Sequence, residues 1–118
     1  MSILNLFHNC TSSIAYQPGQ VIFSEGDPGD LMFVVLEGEV EVRVHEKVVD
    51  TTGPGGILGE MALVDHAPRS ATAIAKTACK VAPVGETQFN FMIQETPHFA
   101  IAVMRVMCDR LRKRFPAT

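Results

Sequence analysis

The sequence predicts a mainly β domain that ends in helices, and three observations indicate this fold class. Glycine and proline recur throughout the first 85 residues and separate short runs rich in branched and aromatic residues. One such run, 40–44, alternates apolar and polar residues with period two, as expected of a half-buried strand. From 98 to 115 no glycine or proline occurs, and apolar residues keep helical spacing. Many short strands at this spacing are typical of an antiparallel sandwich, jelly roll or barrel.

Length and composition indicate a single globular domain, 1–118. A chain of 118 residues has no room for a regulatory and a catalytic domain together. Hydrophobic residues make up 47% and charged residues 19%, which excludes a disordered protein. The formal net charge is −3, although five of the ten basic residues lie in 105–118. A net acidic chain is not typical of a nucleic-acid-binding protein, so we expect no direct nucleic-acid binding.

The predicted elements follow in order along the chain. A brief run of helix formers, 60–64, follows a glycine-rich turn, and Pro68 prevents its continuation. A helix is expected over 86–94, and a second begins at Pro97 with Thr96 as its cap. Strands are expected where the branched and aromatic runs lie: 21–23, 31–36, 40–44, 48–52, 71–75 and 79–84.

The last predicted helix, 97–115, is apolar on nearly all sides. A helix of this kind is buried on more than one side. We therefore expect it to pack against a second copy of the chain, as a homodimer. The alternative is a helix held between the sandwich and the N-terminal segment. The apolar residues are Ala100, Ile101, Ala102, Val103, Met104, Val106, Met107, Leu111 and Phe115.

Cysteine usage and hydropathy indicate a cytoplasmic domain, or the cytoplasmic domain of a membrane protein. Cys10, Cys79 and Cys108 match neither a disulfide framework nor a zinc pattern. The N-terminus does not resemble a signal peptide, and the longest apolar runs are six residues. No His-x-His pair and no catalytic constellation occur, so we expect no metal, no cofactor and no enzymatic activity.

The segment 53–72 carries the residues with the clearest chemistry. Its glycine-rich turn precedes the short predicted helix, so free backbone N–H groups at the helix start attract an anion. Arg69 lies nine residues after Glu60, and its guanidinium can bind two phosphate oxygens at once. The Glu60 carboxylate can accept a hydrogen bond from a ribose hydroxyl, so the pair suits a sugar phosphate. The alternative is an ordinary Arg69–Glu60 ion pair that closes the loop.

Within this segment, Gly59-Glu60-x-Ala62-Leu63 precedes Pro68-Arg69-Ser70-Ala71-Thr72. This pattern closely resembles the phosphate-binding cassette of cyclic nucleotide-binding domains, which occur in catabolite-activator-type regulators, cyclic-nucleotide-dependent kinases and cyclic-nucleotide-gated channels. The resemblance covers roughly 14–112. It includes the glycine turns within 19–33 and 37–40, the segment 78–81, Pro97 and Arg110-Leu111.

The resemblance implies a jelly-roll β-sandwich with flanking helices. The β-roll would span 14–85, with the cassette at 59–72. A short helical segment, 1–13, would precede it, and C-terminal helices over 86–115 would follow.

The resemblance also implies a role for each site residue. Arg69 and Ser70 would bind the exocyclic phosphate, supported by the N–H groups of Met61 and Ala62. Glu60 and the Gly59 carbonyl would hold the ribose 2′-hydroxyl. The residues implied around the base are Val42, Val49, Ile57, Leu58, Arg114 and Phe115.

The implied function is a regulatory or sensor module that binds cAMP, with cGMP as the alternative. In the family, threonine after the cassette arginine accompanies cGMP use and alanine accompanies cAMP preference. Ser70 is intermediate, and we favour cAMP. The effector is unknown. The chain is either a stand-alone sensor that acts on another protein or the regulatory domain of a longer channel, kinase or transcription regulator. A non-binding interaction module of the same fold is the third alternative.

Overall fold

The computed structural model describes residues 12–114, apart from the side chain of Arg114. Two four-stranded antiparallel sheets form a jelly-roll sandwich. The first sheet has the order β1-β8-β3-β6, and the second has the order β2-β7-β4-β5. The strands are β1 (Ile14–Tyr16), β2 (Val21–Phe23), β3 (Met32–Glu37), β4 (Val40–Val44), β5 (Lys47–Thr52), β6 (Ile57–Leu58), β7 (Thr72–Ala75) and β8 (Cys79–Val84). The predicted mainly β sandwich with flanking helices is thereby confirmed.

Six strands coincide with the predicted runs to within about one residue. Two further strands, β1 and β6, were not predicted from the sequence. The strand β6 has only two residues, and β1 (Ile-Ala-Tyr) lacks the unbroken run of branched and aromatic residues that marks the equally short β2. Pairing alone defines them, because β1 lies antiparallel to β8 and β6 lies antiparallel to β3.

Within residues 12–114, three helices accompany the sheets: α1 (Met61–Val64), α2 (Glu86–Glu95) and α3 (Pro97–Arg114). The predicted N-terminal helix falls on residues 1–11, which lie outside the described residues, and the described Ser12 and Ser13 precede β1 without helical structure. Among residues 12–114, no helix combines the length and hydropathy needed to cross a bilayer.

The core has two layers because β3 is buried on both faces. Phe33 and Val35 pack between the two sheets. Met32 and Val34 alternate with them and pack under α2 and α3, against residues such as Phe99. An apolar residue is therefore required at each of the first four positions of β3, 32–35, since neither face of the strand meets water there.

Helix α3 packs one face on the first sheet and leaves the opposite face open. Phe99 and Val103 are buried in the core. Outside this buried face, Ile101, Met104 and Leu111 are 43%, 55% and 59% exposed. The sandwich therefore covers only part of the apolar surface that the sequence places on this helix.

Candidate functional site

A pocket of about 450 Å³ lies between the cassette, the β4–β5 hairpin and the end of α3. Nine of the predicted site residues line it: Val42, Val49, Leu58, Gly59, Glu60, Met61, Ala62, Arg69 and Ser70. The side chain of Arg114 and the whole of Phe115 lie outside the described residues. The structure thus brings together in one cavity the residues implied for phosphate, ribose and most of the base.

Ile57 is corrected by the structure, because it does not line this pocket. Neighbouring residues of a strand point to opposite faces, so Ile57 and Leu58 separate. The Leu58 side chain packs between the sheets and borders the pocket. The Ile57 side chain is fully buried on the other side of the sheet, among the residues under α2 and α3.

Arg69 is 8% exposed and rests on an aromatic ring. Its guanidinium carbon lies 4.3 Å from the Phe23 ring centroid and 5.8 Å from that of Phe33. Arg69 Nη1 donates a long hydrogen bond of 3.4 Å to the Gly59 carbonyl. Arg69 Nε is buried and has no hydrogen-bond partner among residues 12–114.

The backbone of Arg69 is held by the turn that follows β2. The Arg69 N–H donates to the Asp27 carbonyl at 2.8 Å, and the Gly26 N–H donates to the Arg69 carbonyl at 2.8 Å. Two reciprocal hydrogen bonds therefore place the cassette arginine on the first glycine turn. This is the physical link between two sequence motifs that lie some forty residues apart.

Burial lowers the pKa of the Arg69 guanidinium, while the carboxylates of Asp30 and Asp27 act in the opposite direction. Neither carboxylate forms a salt bridge with Arg69 in the described part of the chain. The carboxylates of Asp27 and Asp30 do not contact this guanidinium, so an anionic ligand bound there would supply a negative charge in direct contact with it.

Glu60 is 2% exposed, and its partner comes from α3. Arg110 Nη1 donates a hydrogen bond to Glu60 Oε1, and Arg110 Nη2 donates to the Ile57 carbonyl at 2.6 Å. The Arg69–Glu60 ion pair considered from the sequence therefore does not form between these described residues. Glu60 lines the pocket, and its Oε2 atom is buried without a hydrogen-bond partner among residues 12–114.

Asp50 and Lys113 extend this connection across the pocket mouth. Lys113 Nζ donates to Asp50 Oδ1 at 2.9 Å, and Arg110 Nε lies 3.9 Å from Asp50 Oδ2. Both residues line the pocket, as do Met107 and Leu111 of α3. The sequence did not predict that these residues contribute to the pocket. No motif near Arg110 or Lys113 indicates that they contact carboxylates of β5 and the cassette.

Helix α1 has a single turn, and the Ala62 N–H and the Met61 side chain already have contacts within the cassette. The Ala62 N–H donates to the Gly59 carbonyl at 3.1 Å. The Ser70 hydroxyl contacts Met61 Sδ at 3.7 Å. The roles implied for these four residues at the phosphate and the ribose stay predictions.

The family model described as the cyclic nucleotide-binding domain matches residues 13–96, which include every strand and the whole cassette. The chain belongs to the cyclic nucleotide-binding domain family. Members of this family are regulatory ligand-binding domains, and the matched relatives are channels, kinase regulatory subunits and transcriptional regulators.

Two curated relatives are longer proteins that contain a segment similar to this chain. The chain is 37% identical over 92 residues to a cyclic nucleotide-gated potassium channel of Mesorhizobium japonicum, covering 78% of this chain and 25% of the channel. It is 36% identical over 91 residues to a cAMP-dependent protein kinase regulatory subunit of Yarrowia lipolytica, covering 75% of this chain and 24% of that subunit. The chain therefore spans about a quarter of the length of these relatives.

Solved structures show the same fold. The catabolite activator protein of Thermus thermophilus superimposes with a TM-score of 0.81 at 27% identity, covering 98% of this chain and 56% of that one. The EAL enzyme Bd1971 matches in its cAMP-bound form with a TM-score of 0.66 at 32% identity, covering 88% of this chain and 29% of the enzyme. Its cGMP-bound form matches with a TM-score of 0.66 at 31% identity, covering 89% and 29%.

Proposed function

We propose that this domain binds a cyclic nucleotide, and cAMP in preference to cGMP, in the 450 Å³ pocket. Two unpartnered groups in the pocket wall carry the proposal. Arg69 Nε is a buried donor without an acceptor, and Glu60 Oε2 is a buried acceptor without a donor. Buried polar groups are normally paired, so each of these calls for a ligand atom. A phosphate oxygen satisfies the donor, and a ribose 2′-hydroxyl satisfies the acceptor.

The rest of the pocket suits a purine. Val42 on β4, Val49 on β5 and Leu58 on β6 give it an apolar wall, to which Met107 of α3 adds. A purine ring is flat and largely apolar on its faces, so it gains from burial against such a surface. The ligand would thus have its charged end at the cassette and its base toward the β-roll and α3.

Base preference is proposed from Ser70 and from the relatives. Ser70 follows the cassette arginine, where the family's pattern associates threonine with cGMP and alanine with cAMP. The kinase regulatory subunit and the transcriptional regulators among the relatives are named for cAMP. Because the EAL enzyme Bd1971 is solved with cAMP and with cGMP, cGMP is the alternative ligand.

Calorimetric titration with cAMP, cGMP and non-cyclic 5′-AMP tests the proposal. We expect one cAMP site per chain, weaker binding of cGMP and much weaker binding of 5′-AMP. The non-cyclic phosphate is no longer fixed beside the 2′-hydroxyl, so one ligand cannot satisfy both groups as well. If none of the three binds, the chain is an interaction module that keeps the fold without the ligand.

The proposed role is regulation without catalytic activity. Because the chain spans about a quarter of the channel and the kinase subunit it resembles, we propose that it instructs an effector domain or protein. Helix α3 is the element through which this would occur, since it contributes both to the pocket wall and to exposed surface.

The partner proposed for α3 is a second copy of the chain. Ile101, Met104, Cys108 and Leu111 are all exposed and follow one another at spacings of three, four and three residues. This is the spacing of a coiled-coil seam. Ile101 and Cys108 lie on the side of α3 roughly opposite the core-facing Val103, and Leu111, which also lines the pocket, lies at the edge of this surface. We call these four residues the α3 seam. Pairing of two such seams would bury the apolar surface that the sandwich leaves exposed.

A further inference from the structure

We propose that Phe23, a residue of β2 outside the cassette, is a positioning residue that holds the Arg69 guanidinium for its contact with the ligand phosphate. The proposal rests on the proposed function and adds a determinant of phosphate recognition that the cassette motif does not contain.

The Arg69 guanidinium lies over the Phe23 ring, and the Phe33 ring lies beside both. The guanidinium carbon of Arg69 lies 4.3 Å from the Phe23 ring centroid. Phe33 stacks against Phe23, with the ring centroids 6.1 Å apart and the planes inclined by 23°. A guanidinium has its N–H donors in its plane, and a ring contact centred on its carbon forms no conventional hydrogen bond with them, so these donors remain for phosphate oxygens.

Few other groups hold this guanidinium. Its one side-chain hydrogen bond in the described residues is the long contact of 3.4 Å to the Gly59 carbonyl. None of the salt bridges found in residues 12–114 involves Arg69. Burial lowers the Arg69 pKa, and the more distant carboxylates of Asp30 and Asp27 act against this. The negative face of the Phe23 ring is an attraction in direct contact with the guanidinium, and it helps to hold that group in place.

The backbone places the two side chains on the same rigid unit. Phe23 pairs with Ala73 in the β2–β7 ladder, four residues after Arg69. Two hydrogen bonds also join Arg69 to Gly26 and Asp27 in the turn after β2. The backbone segments that carry the ring and the guanidinium are thus fixed relative to each other before any ligand binds. This lowers the conformational entropy that the Arg69 side chain loses when it binds a phosphate.

Phe23→Leu tests the proposal, because leucine fills space but has no aromatic face. We expect cAMP affinity to fall about tenfold, which corresponds to ~1.4 kcal/mol and lies within the range of a partly desolvated cation–π contact. Phe23→Tyr keeps the aromatic face and should bind cAMP like the unaltered chain. Phe33→Leu is the matched control, since it removes a more distant and more buried ring. It should reduce thermal stability more than cAMP affinity.

A second measurement separates a positioning role from a structural one. The two phosphorothioate diastereomers of cAMP replace one or the other exocyclic oxygen by sulfur, so their Kd ratio reports the arginine contact. We expect Phe23→Leu to move this ratio toward one and to leave the Kd ratio of cAMP to 2′-deoxy-cAMP unchanged. If Phe23→Leu leaves the diastereomer ratio unaltered, the role proposed for Phe23 is overturned and the proposed function is not affected. Failure of the unaltered chain to bind any cyclic nucleotide would overturn the proposed function and this inference with it.

Discussion

The position of the Arg69 guanidinium depends on two glycines, which have no side chain, as well as on the Phe23 ring. A Cβ at Gly29 would overlap the Nε and Cζ atoms of Arg69, and a Cβ at Gly59 would overlap Nη1. Gly59 also has φ +71°, a conformation that favours glycine. The guanidinium therefore occupies space that only glycine at both positions leaves open.

Gly29→Ala should weaken cAMP binding while leaving the fold intact. The new methyl group meets the flexible end of Arg69, so the guanidinium moves aside and its contact to the ligand is lost. We expect a loss of about 1.5–3 kcal/mol in binding free energy, as for a hydrogen bond to a charged group. Calorimetry gives the affinity, and thermal unfolding gives the stability.

Gly53→Ala is the matched control for this prediction. A Cβ at Gly53 meets no atom within 4 Å, and that residue does not have a positive φ. Affinity in this variant should stay as in the unaltered chain. Equal cAMP affinity in Gly29→Ala and Gly53→Ala would show that the guanidinium position does not matter for binding.

At the scale of elements, α3 is tied to the cassette and to β5 through charged contacts. Arg110 donates to Glu60 Oε1 and to the Ile57 carbonyl, and Lys113 donates to Asp50. The Glu60 side chain is 3% exposed, so most of this contact is shielded from water. A ligand that engages Glu60 must act on the same carboxylate that holds α3. On the proposed role of Glu60, ligand binding and helix position would therefore be thermodynamically linked.

Arg110→Ala should reduce the free energy of unfolding by about 3 kcal/mol, because it leaves Glu60 as an uncompensated buried charge. The value lies at the lower end of the usual range, since the Arg110 side chain is 25% exposed. Urea denaturation followed by circular dichroism measures it.

Arg112→Ala serves as the control on the same helix. Arg112 pairs with Asp109 at 3.3 Å, and both side chains are more than 70% exposed. An exposed pair of this kind contributes at most about 0.5 kcal/mol. Similar losses in Arg110→Ala and Arg112→Ala would contradict a structural role for the Arg110–Glu60 contact.

The predictability of the elements follows from their length and from how local their signals are. The strands β3 and β4 were predicted because each has five or six residues of clear pattern. The two-residue β6 was not, and without it the opposite directions of Ile57 and Leu58 could not be deduced. The pairing of Arg110 with Glu60 spans fifty residues, so it depends on the tertiary fold and not on any local motif.

For the whole molecule, the cassette was predictable because its residues lie close together in the sequence. The residues that α3 and β5 add to the pocket were not predictable, because they are distant in the sequence. Nine predicted residues line one pocket, since the cassette turn and the β4–β5 hairpin meet there. The N-terminal helical segment, the side chain of Arg114 and Phe115 fall outside the described residues. Their predicted roles, and the cytoplasmic location, stay predictions.

Pairing of two copies through the α3 seam gives a test at this scale. Sedimentation velocity should show a dimer that dissociates on dilution, and Met104→Glu should give a monomer because it places a charge in the seam. In a chain with Cys10→Ser and Cys79→Ala, mild oxidation should also produce a dimer linked through the exposed Cys108.

Val48→Glu is the control for this test, since Val48 is 45% exposed but lies on β5, away from the seam. It should dimerise like the unaltered chain. A chain that sediments as a monomer at every concentration would contradict pairing through α3 and would leave the exposed seam to a different partner.

The most direct test of the central claim is calorimetric titration of cAMP against the unaltered chain, Arg69→Ala and Arg43→Ala. Arg43 pairs with Glu41 on β4 and does not line the pocket, so Arg43→Ala should bind cAMP like the unaltered chain. Removal of one partner of a buried charge pair costs about 2–5 kcal/mol, so Arg69→Ala should bind about 30-fold to several-thousand-fold more weakly. Equal cAMP affinity in all three chains would contradict the assignment of Arg69 to the ligand phosphate.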